Sequence, residues 1–287
     1  MLSSDTAPQA NGHASPSDEM KAGLVKEYRS RKRTQAIARV TAQIVIAVLL
    51  LASWEFTSRF LVGSFWISSP TAVAARTWEW ASTGFIVPHI LITLQEMLLG
   101  LVMGAILGLV AGIVLGVNVP LDRMLNPYVM VAFVIPHLAL MPLLILAFGI
   151  GIESKIVLVT IVSFFFIFYN TLAGIRDVNV DVVNQVRIMG AGQLRVIRSV
   201  LLPSATGWII TGMRLAIRQA LAAAVVGEML AASLGLGFLL SFSSGTFDST
   251  GVFAALVFIT IIAVVLNAIA SLVERHLTRW KATSMSA

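Results

Sequence analysis

Six long apolar stretches constrain the fold of this chain more than any other feature. An α-helix needs about 20 consecutive apolar residues to cross the ~30 Å hydrocarbon core of a bilayer. The stretches lie at about residues 37–54, 94–117, 127–149, 155–175, 205–230 and 251–273. Composition agrees, because 57% of the 287 residues are hydrophobic, 12% are charged, and the mean hydropathy is +0.90. The pattern predicts an all-α integral membrane protein with six transmembrane helices.

The basic residues indicate how these helices are oriented. Of the 20 lysines and arginines, fifteen fall in the N-terminal stretch, near residue 123, in 176–198 and in 275–281, and three fall in the alternate connections. Cytoplasmic segments of membrane proteins carry the excess of basic residues, so both termini are predicted to be cytoplasmic. This distribution also argues against a nucleic-acid-binding groove. We divide the chain into a disordered basic cytoplasmic tail (1–34), a transmembrane domain (35–275) and a cytoplasmic tail (276–287).

Prolines mark irregular points in the apolar stretches. Pro136 and Pro142 interrupt the stretch 127–149 and predict a kinked or broken helix, which membrane proteins tolerate where it is buried or lines a cavity. Ser69 and Pro70 are typical of an N-cap and the first helical residue. They predict a short helix to about Trp80, at the outer interface that tryptophan favours.

Glycines recur every fourth position in the stretch 94–117. Such a row gives one helix face a smooth surface that another backbone can approach closely. We interpret it as packing within the chain, with a seam between two copies as the alternative. The row consists of Gly100, Gly104, Gly108, Gly112 and Gly116.

The chain lacks the motifs of an enzyme. The nearest match to the phosphate-binding loop G-x-x-x-x-G-K-[ST] is GIGIESK at Gly149–Lys155, where Ser154 replaces the second glycine. The four histidines form no ligand-spaced pair, and there is no cysteine. SFSSGT at 241–246 lacks the first glycine of a G-x-S-x-G elbow and is predicted to be an outer loop. We therefore assign no catalytic residue, metal site or cofactor to this chain.

One polar segment, 181–203, interrupts the apolar second half of the chain. Asn179 or Asp181 is placed to cap a short helix, and Gly190 and Gly192 favour a left-handed turn after it. A second short helix over about 194–201 then leads to Pro203. The apolar stripe of the first helix is predicted to consist of Val182, Val183, Val186 and Met189. Two such helices serve either as a docking surface for a soluble partner or as a pair lying on lipid headgroups.

This segment resembles the EAA loop of binding-protein-dependent ABC importer permeases. The ordered matches also include SSPTAV (68–73), the span 93–118, IPHLALMPLLILAFGIGIESK (135–155) and GEMLAASLGLGFLL (227–240), which look like the sulfonate/taurine/nitrate branch. The resemblance covers roughly residues 40–275. It implies a permease of the bacterial inner membrane, a cytoplasmic ABC ATPase dimer that binds ATP, an extracytoplasmic solute-binding protein, and a permease homodimer in the lipid bilayer.

The resemblance also implies which residues couple to the ATPase. The coupling loop spans about 177–204, and the E-A-A places are occupied by Asn184, Gln185 and Val186. Asn184 replaces the acidic residue of the family, and an amide keeps hydrogen-bonding capacity without the charge. Docking is then expected to use shape, apolar contact and Arg187 or Arg195. The remaining matched positions are Gly190, Leu202 and Pro203.

Three charged residues within the stretch 205–230 are candidates for the translocation path. Arg214 and Arg218 lie four residues apart and share a helix face. They either line the path and attract an anion, or they extend to the inner interface or pair with a loop carboxylate such as Asp177 or Asp181. Glu228, near the far end of the same stretch, matches a glutamate common in the family.

The predicted function is therefore the translocation subunit of an ATP-driven importer. Its solute is expected to be a small organic or inorganic anion such as a sulfonate, taurine or nitrate. A secondary transporter is one alternative, and it would call for internal repeats and ionisable residues at mid-membrane. A membrane scaffold that transports nothing is the other.

Overall fold

The computed structural model describes residue 32, residues 38–63 and residues 66–277. The predicted tails 1–34 and 276–287 therefore lie almost wholly outside the described residues. The chain divides into two units, Met1–Leu61 and Val62–Ala287. The first contains helix α1 (Ala38–Leu61), which matches the first predicted span and whose last residues belong to a π-helical turn, Thr57–Val62.

The second unit is built from ten helices in the described part of the chain. In order they are α2 (Pro70–Ser82), α3 (Ile86–Val117), α4 (Val119–Val134), α5 (Met141–Phe148), α6 (Ile152–Arg176), α7 (Val180–Ile188), α8 (Gln193–Val196), α9 (Leu202–Ala231), α10 (Leu236–Gly245) and α11 (Ser249–Leu277). A 3-10 turn (His137–Leu140) precedes α5, and a π turn (Ile197–Leu201) joins α8 to α9.

The predicted spans are present, and their helices extend beyond the predicted bounds. Five helices are long and apolar enough to cross a membrane, and the pair α4 and α5 supplies a sixth span with a bend of 80°. The bend confirms the break predicted from proline: Pro136 lies between the two helices and Pro142 lies in the first turn of α5. The capped helix is also confirmed, since the Ser69 side chain accepts a hydrogen bond from the N–H of Ala72.

The prediction of an outer loop at 241–246 is wrong. Residues 236–245 form α10, and only Thr246 lies beyond its end. The small residues of SFSSGT suggested a loop, but Ser243 is buried and the helix packs on α9 and α11. Tertiary packing thus outweighs the weak helix propensity of serine.

The glycine row packs α3 against α6 of the same chain. A Cβ at Gly104 would lie 2.6 Å from the carbonyl oxygen of Thr160, and a Cβ at Gly108 would lie 2.7 Å from that of Phe164. All five glycines face α6 in this way. The interpretation as intrachain packing is confirmed, and the two backbones approach as closely as small residues allow.

Helices α6 and α9 form the centre of the unit. The largest core cluster joins α3, α6, α9, α10 and α11, with Met97, Leu158, Ala216 and Ala220 at 0% exposure. In contrast, α4 and α5 contribute one buried residue each, Asp122 and Met141. The broken span therefore lies at the edge of the unit with most of its apolar surface uncovered.

Candidate functional site

The segment between α6 and α9 forms a compact projection. It contains helix α7, which ends in a defined turn. Asn179 caps α7 by accepting a hydrogen bond from the N–H of Asp181. Gly190 has φ +84°, and it donates to the carbonyl of Arg187 while Ala191 donates to that of Val186. This pair of bonds is a Schellman motif, which requires a left-handed residue after the helix.

Two details of the predicted projection are wrong. Gly192 has φ −68°, so only Gly190 is left-handed. The second short helix is continuous with α9, because α8 runs through the π turn into one helical stretch from Gln193 to Ala231. The Leu202 N–H bonds to the carbonyl of Ile197, five residues back, and this wider turn makes room for the ring of Pro203, which would clash in a regular α-helix.

The face of α7 that turns outward is partly apolar. Val183 and Val186 pack inward on a small core with Ile175 and Val196. Val182 and Met189, which were predicted to share their stripe, are exposed, as is Ile188. Ile188 and Met189 are each 85% exposed. Large apolar side chains exposed together mark a contact surface more often than chance.

The structure places the residues of the predicted coupling loop in two elements, α7 with its turn and the start of α9. Asn184, Gln185 and Arg187 are exposed on α7, beside the turn at Gly190. Leu202 and Pro203 begin α9, where they line a groove of about 500 Å³ with Arg198. We call the exposed residues of 184–190 the coupling face.

The arginines of α9 have different environments. Arg214 forms an ion pair with Glu274 of α11, rather than with Asp177 or Asp181. Asp177 instead accepts a hydrogen bond from the indole N–H of Trp208. Arg218 is exposed and makes no ion pair within residues 38–63 and 66–277. Of the two arginines, only Arg218 has its charge unpaired.

Glu228 lies at the end of α9 farthest from the coupling face, and it is 1% exposed. Its Oε1 accepts a hydrogen bond from the Thr93 hydroxyl at 2.6 Å, and its Oε2 accepts one from the backbone N–H of Gly237 at 2.7 Å. The contacts tie α9 to α3 and to the first turn of α10. In this structure Glu228 therefore links three helices and is closed to solvent.

Three further polar residues complete this buried cluster, and sequence reasoning missed them. Glu96, eleven residues into α3, and Lys155, in the first turn of α6, are 1% and 3% exposed. Lys155 donates to the backbone carbonyls of residues 150 and 151. The Nδ1 atom of His89 lies 3.1 Å from both the backbone nitrogen and the carbonyl oxygen of Gly235, and its tautomer decides which of the two it bonds. A charged residue such as Glu96 inside a run of apolar residues was the signal available in the sequence.

A cavity of about 400 Å³ lies at the break between α4 and α5. It is lined by residues 133–138 of the break, by Val162 and Phe166 of α6, and by Gln219, Ala222 and Ala223 of α9. We call it the break cavity. In the described residues, no group of three His, Asp or Glu side chains is placed to hold a metal ion.

Comparison with known proteins gives the family. Residues 100–282 match the family model described as the inner membrane component of binding-protein-dependent transport systems. The riboflavin transport system permease protein RibX of Chloroflexus aurantiacus is 38% identical over 241 residues, which are 83% of this chain and 90% of that protein. The taurine transport system permease protein TauC of Escherichia coli is 30% identical over 249 residues, 84% of this chain and 90% of that protein.

A solved structure supports the fold. The chain resembles one in inward-facing conformations of the MetNI methionine ABC transporter, with a TM-score of 0.61 at 22% identity, covering 67% of this chain and 96% of that one. The relatives are permease subunits and not enzymes, so ATP hydrolysis belongs to a partner ATPase. The chain belongs to the family of inner membrane components of binding-protein-dependent ABC importers, in the sulfonate- and taurine-type branch that its motifs indicated.

Proposed function

We propose that this chain forms the translocation path of an ATP-driven importer. A cytoplasmic ATPase dimer binds at its coupling face and drives its conformational change. The observation that carries the proposal is the projection at 177–204, where a capped helix ends in a Schellman turn and presents Ile188, Met189 and Arg187 outward. A connection between two spans needs far fewer residues than this. The exposed apolar pair and the arginine suit a groove on a soluble protein better than free solvent.

The proposed assembly contains two copies of the permease. Helices α4 and α5 leave Tyr128, Val131, Val134 and Leu146 between 68% and 84% exposed. Such an apolar surface could lie against lipid. The bend of 80°, however, frees backbone N–H and C=O groups, with which lipid tails cannot form hydrogen bonds. A second copy across this edge would cover the break and enclose a path between the two chains. A solute-binding protein would deliver the solute at the end opposite the coupling face.

Two classes of solute have support in this chain. The exposed, unpaired Arg218 favours a small anion of the sulfonate, taurine or nitrate class. The relative at 38% identity is a riboflavin permease, and the uncharged lining of the break cavity favours a ring compound. The pairing of Arg214 with Glu274 leaves one of the two arginines of α9 to support an anion.

The partner requirement has a direct test. The purified permease is expected to hydrolyse no ATP, because the phosphate-binding loop is absent from its sequence. After the ATPase is added, ATP hydrolysis should appear in proportion to the amount of complex formed. Phosphate release by a permease preparation shown by mass spectrometry to be free of the ATPase would contradict the proposal.

A further inference from the structure

A row of polar side chains on α3 faces the buried Glu228. His89, Thr93 and Glu96 are spaced four and three residues apart, so they share one face of the helix. All three are buried, and the Thr93 hydroxyl donates a hydrogen bond to Glu228 at 2.6 Å. Glu96 follows Thr93 by one turn on this face, and its carboxyl group lies within hydrogen-bonding reach of that of Glu228. Two buried carboxyl groups therefore meet between α3 and α9.

The two carboxyl groups differ in the hydrogen-bond donors around them. Glu228 accepts from the Thr93 hydroxyl and from the backbone N–H of Gly237, in the first turn of α10. Donors of this kind, together with the N-terminal end of a helix, stabilise a carboxylate. The Oε2 atom of Glu96, in contrast, is buried and has no hydrogen-bond partner. A proton on Glu96 would make this group a donor to Glu228 and would remove an unpaired charge from the cluster.

The balance of charge in this cluster also favours one bound proton. Lys155 of α6 lies beside the same junction, since a Cβ at Gly227 would lie 3.1 Å from the Cγ atom of Lys155. Its ammonium group donates to the neutral carbonyls of residues 150 and 151. An ordinary imidazole such as that of His89 is neutral at about pH 7, and α10 carries no ionisable side chain. Two carboxylates and one ammonium would therefore leave a net negative charge among side chains that are 1–3% exposed, which is costly.

We infer that Glu96 and Glu228 form a proton-binding site, in which one proton carried by Glu96 is shared with the carboxylate of Glu228. The shared proton holds α3 against α9, and Glu228 in turn holds the first turn of α10. Both side chains are 1% exposed, so the proton belongs to the folded protein and not to an open path. Without it, two adjacent carboxylates would repel each other and loosen this junction of three helices. The site goes beyond the proposed function, because it depends neither on the solute nor on the ATPase.

The test is infrared difference spectroscopy of the full-length permease in complex with its ATPase, in a detergent without ester groups. At about pH 7 an ordinary glutamic acid is ionised, whereas a protonated one shows the C=O stretch of a carboxylic acid. Glu96→Gln should lose one such band relative to the unaltered complex and should remain folded, because the amide donates the same hydrogen bond. Glu228→Gln should lose the same band, because Glu96 then ionises beside Lys155.

Glu153→Gln is the matched control, because it replaces an exposed glutamate in the same first turn of α6 as Lys155. It should remove only the bands of an ionised carboxylate. Loss of carboxylate bands alone in Glu96→Gln, or survival of the carboxylic acid band in Glu228→Gln, would each overturn the inference. ATP hydrolysis by the same complexes is measured alongside, so failure of the proton site is distinguishable from failure of the importer function.

Discussion

Replacing Gly104 by valine is expected to prevent stable folding of the transmembrane unit. A Cβ at this position would lie 2.6 Å from the carbonyl oxygen of Thr160, 2.7 Å from the Cβ of Ser163 and 2.9 Å from the N–H nitrogen of Phe164. Two of these atoms belong to the backbone of α6, so no rotamer change can relieve the contact. Overpacking a core costs ~1–3 kcal/mol, and moving two whole helices apart should cost more.

The measurement is the yield and thermal unfolding of the purified permease in detergent. Met103→Val is the control. It introduces the same side chain one residue earlier, at a residue that is 48% exposed. The Gly104 variant should aggregate or unfold well below the control. A variant that remains fully stable but loses only its dimer would indicate that the glycine row forms a seam between copies.

Replacing Gly190 by valine should uncouple the permease from its ATPase while leaving the membrane helices folded. A Cβ at Gly190 meets no atom within 4 Å, so the effect is conformational rather than steric. The left-handed conformation at φ +84° costs an L-residue ~1–2 kcal/mol, and a β-branched one more. The Schellman turn would open and the coupling face would lose its shape. Affinity for the ATPase should fall about tenfold, because ~1.4 kcal/mol is a factor of ten.

Two matched variants sharpen this test. Gly192→Val adds the same side chain into equally open space, but at φ −68°, which any residue adopts. It should bind the ATPase nearly normally. Asn184→Glu restores the acidic residue of the EAA loop on an exposed position and should also retain binding. The binding constants are measured by surface plasmon resonance with the ATPase immobilised. Equal losses at Gly190, Gly192 and Asn184 would show that the turn has no special role.

Local patterns explain which features the sequence predicted. Apolar runs, proline positions and the spacing of glycines act through neighbouring residues, and they predicted the spans, the break at Pro136 and the α3 contact face. The cap at Asn179 and the turn at Gly190 are local in the same sense. Gly192 shows the limit of such reasoning: glycine permits a left-handed conformation without requiring it.

Contacts between distant residues explain what the sequence did not predict. Arg214 is 60 residues from its partner Glu274, and Thr93 is 135 residues from Glu228. No spacing rule relates such pairs, because they depend on how α9 packs against α11 and α3. The break cavity is likewise assembled from three segments of the chain. The family's permease fold, once formed, brings these residues together.

This chain is expected to move a solute only when a cytoplasmic ATPase drives it. The most direct measurement is solute uptake by vesicles that contain the permease, its ATPase and its solute-binding protein, with ATP supplied at the face that carries the ATPase. Uptake should require all three proteins and hydrolysable ATP, and it should continue after an ionophore abolishes ion gradients. Uptake by vesicles that lack the ATPase, driven by a proton or sodium gradient, would contradict the account and favour a secondary transporter.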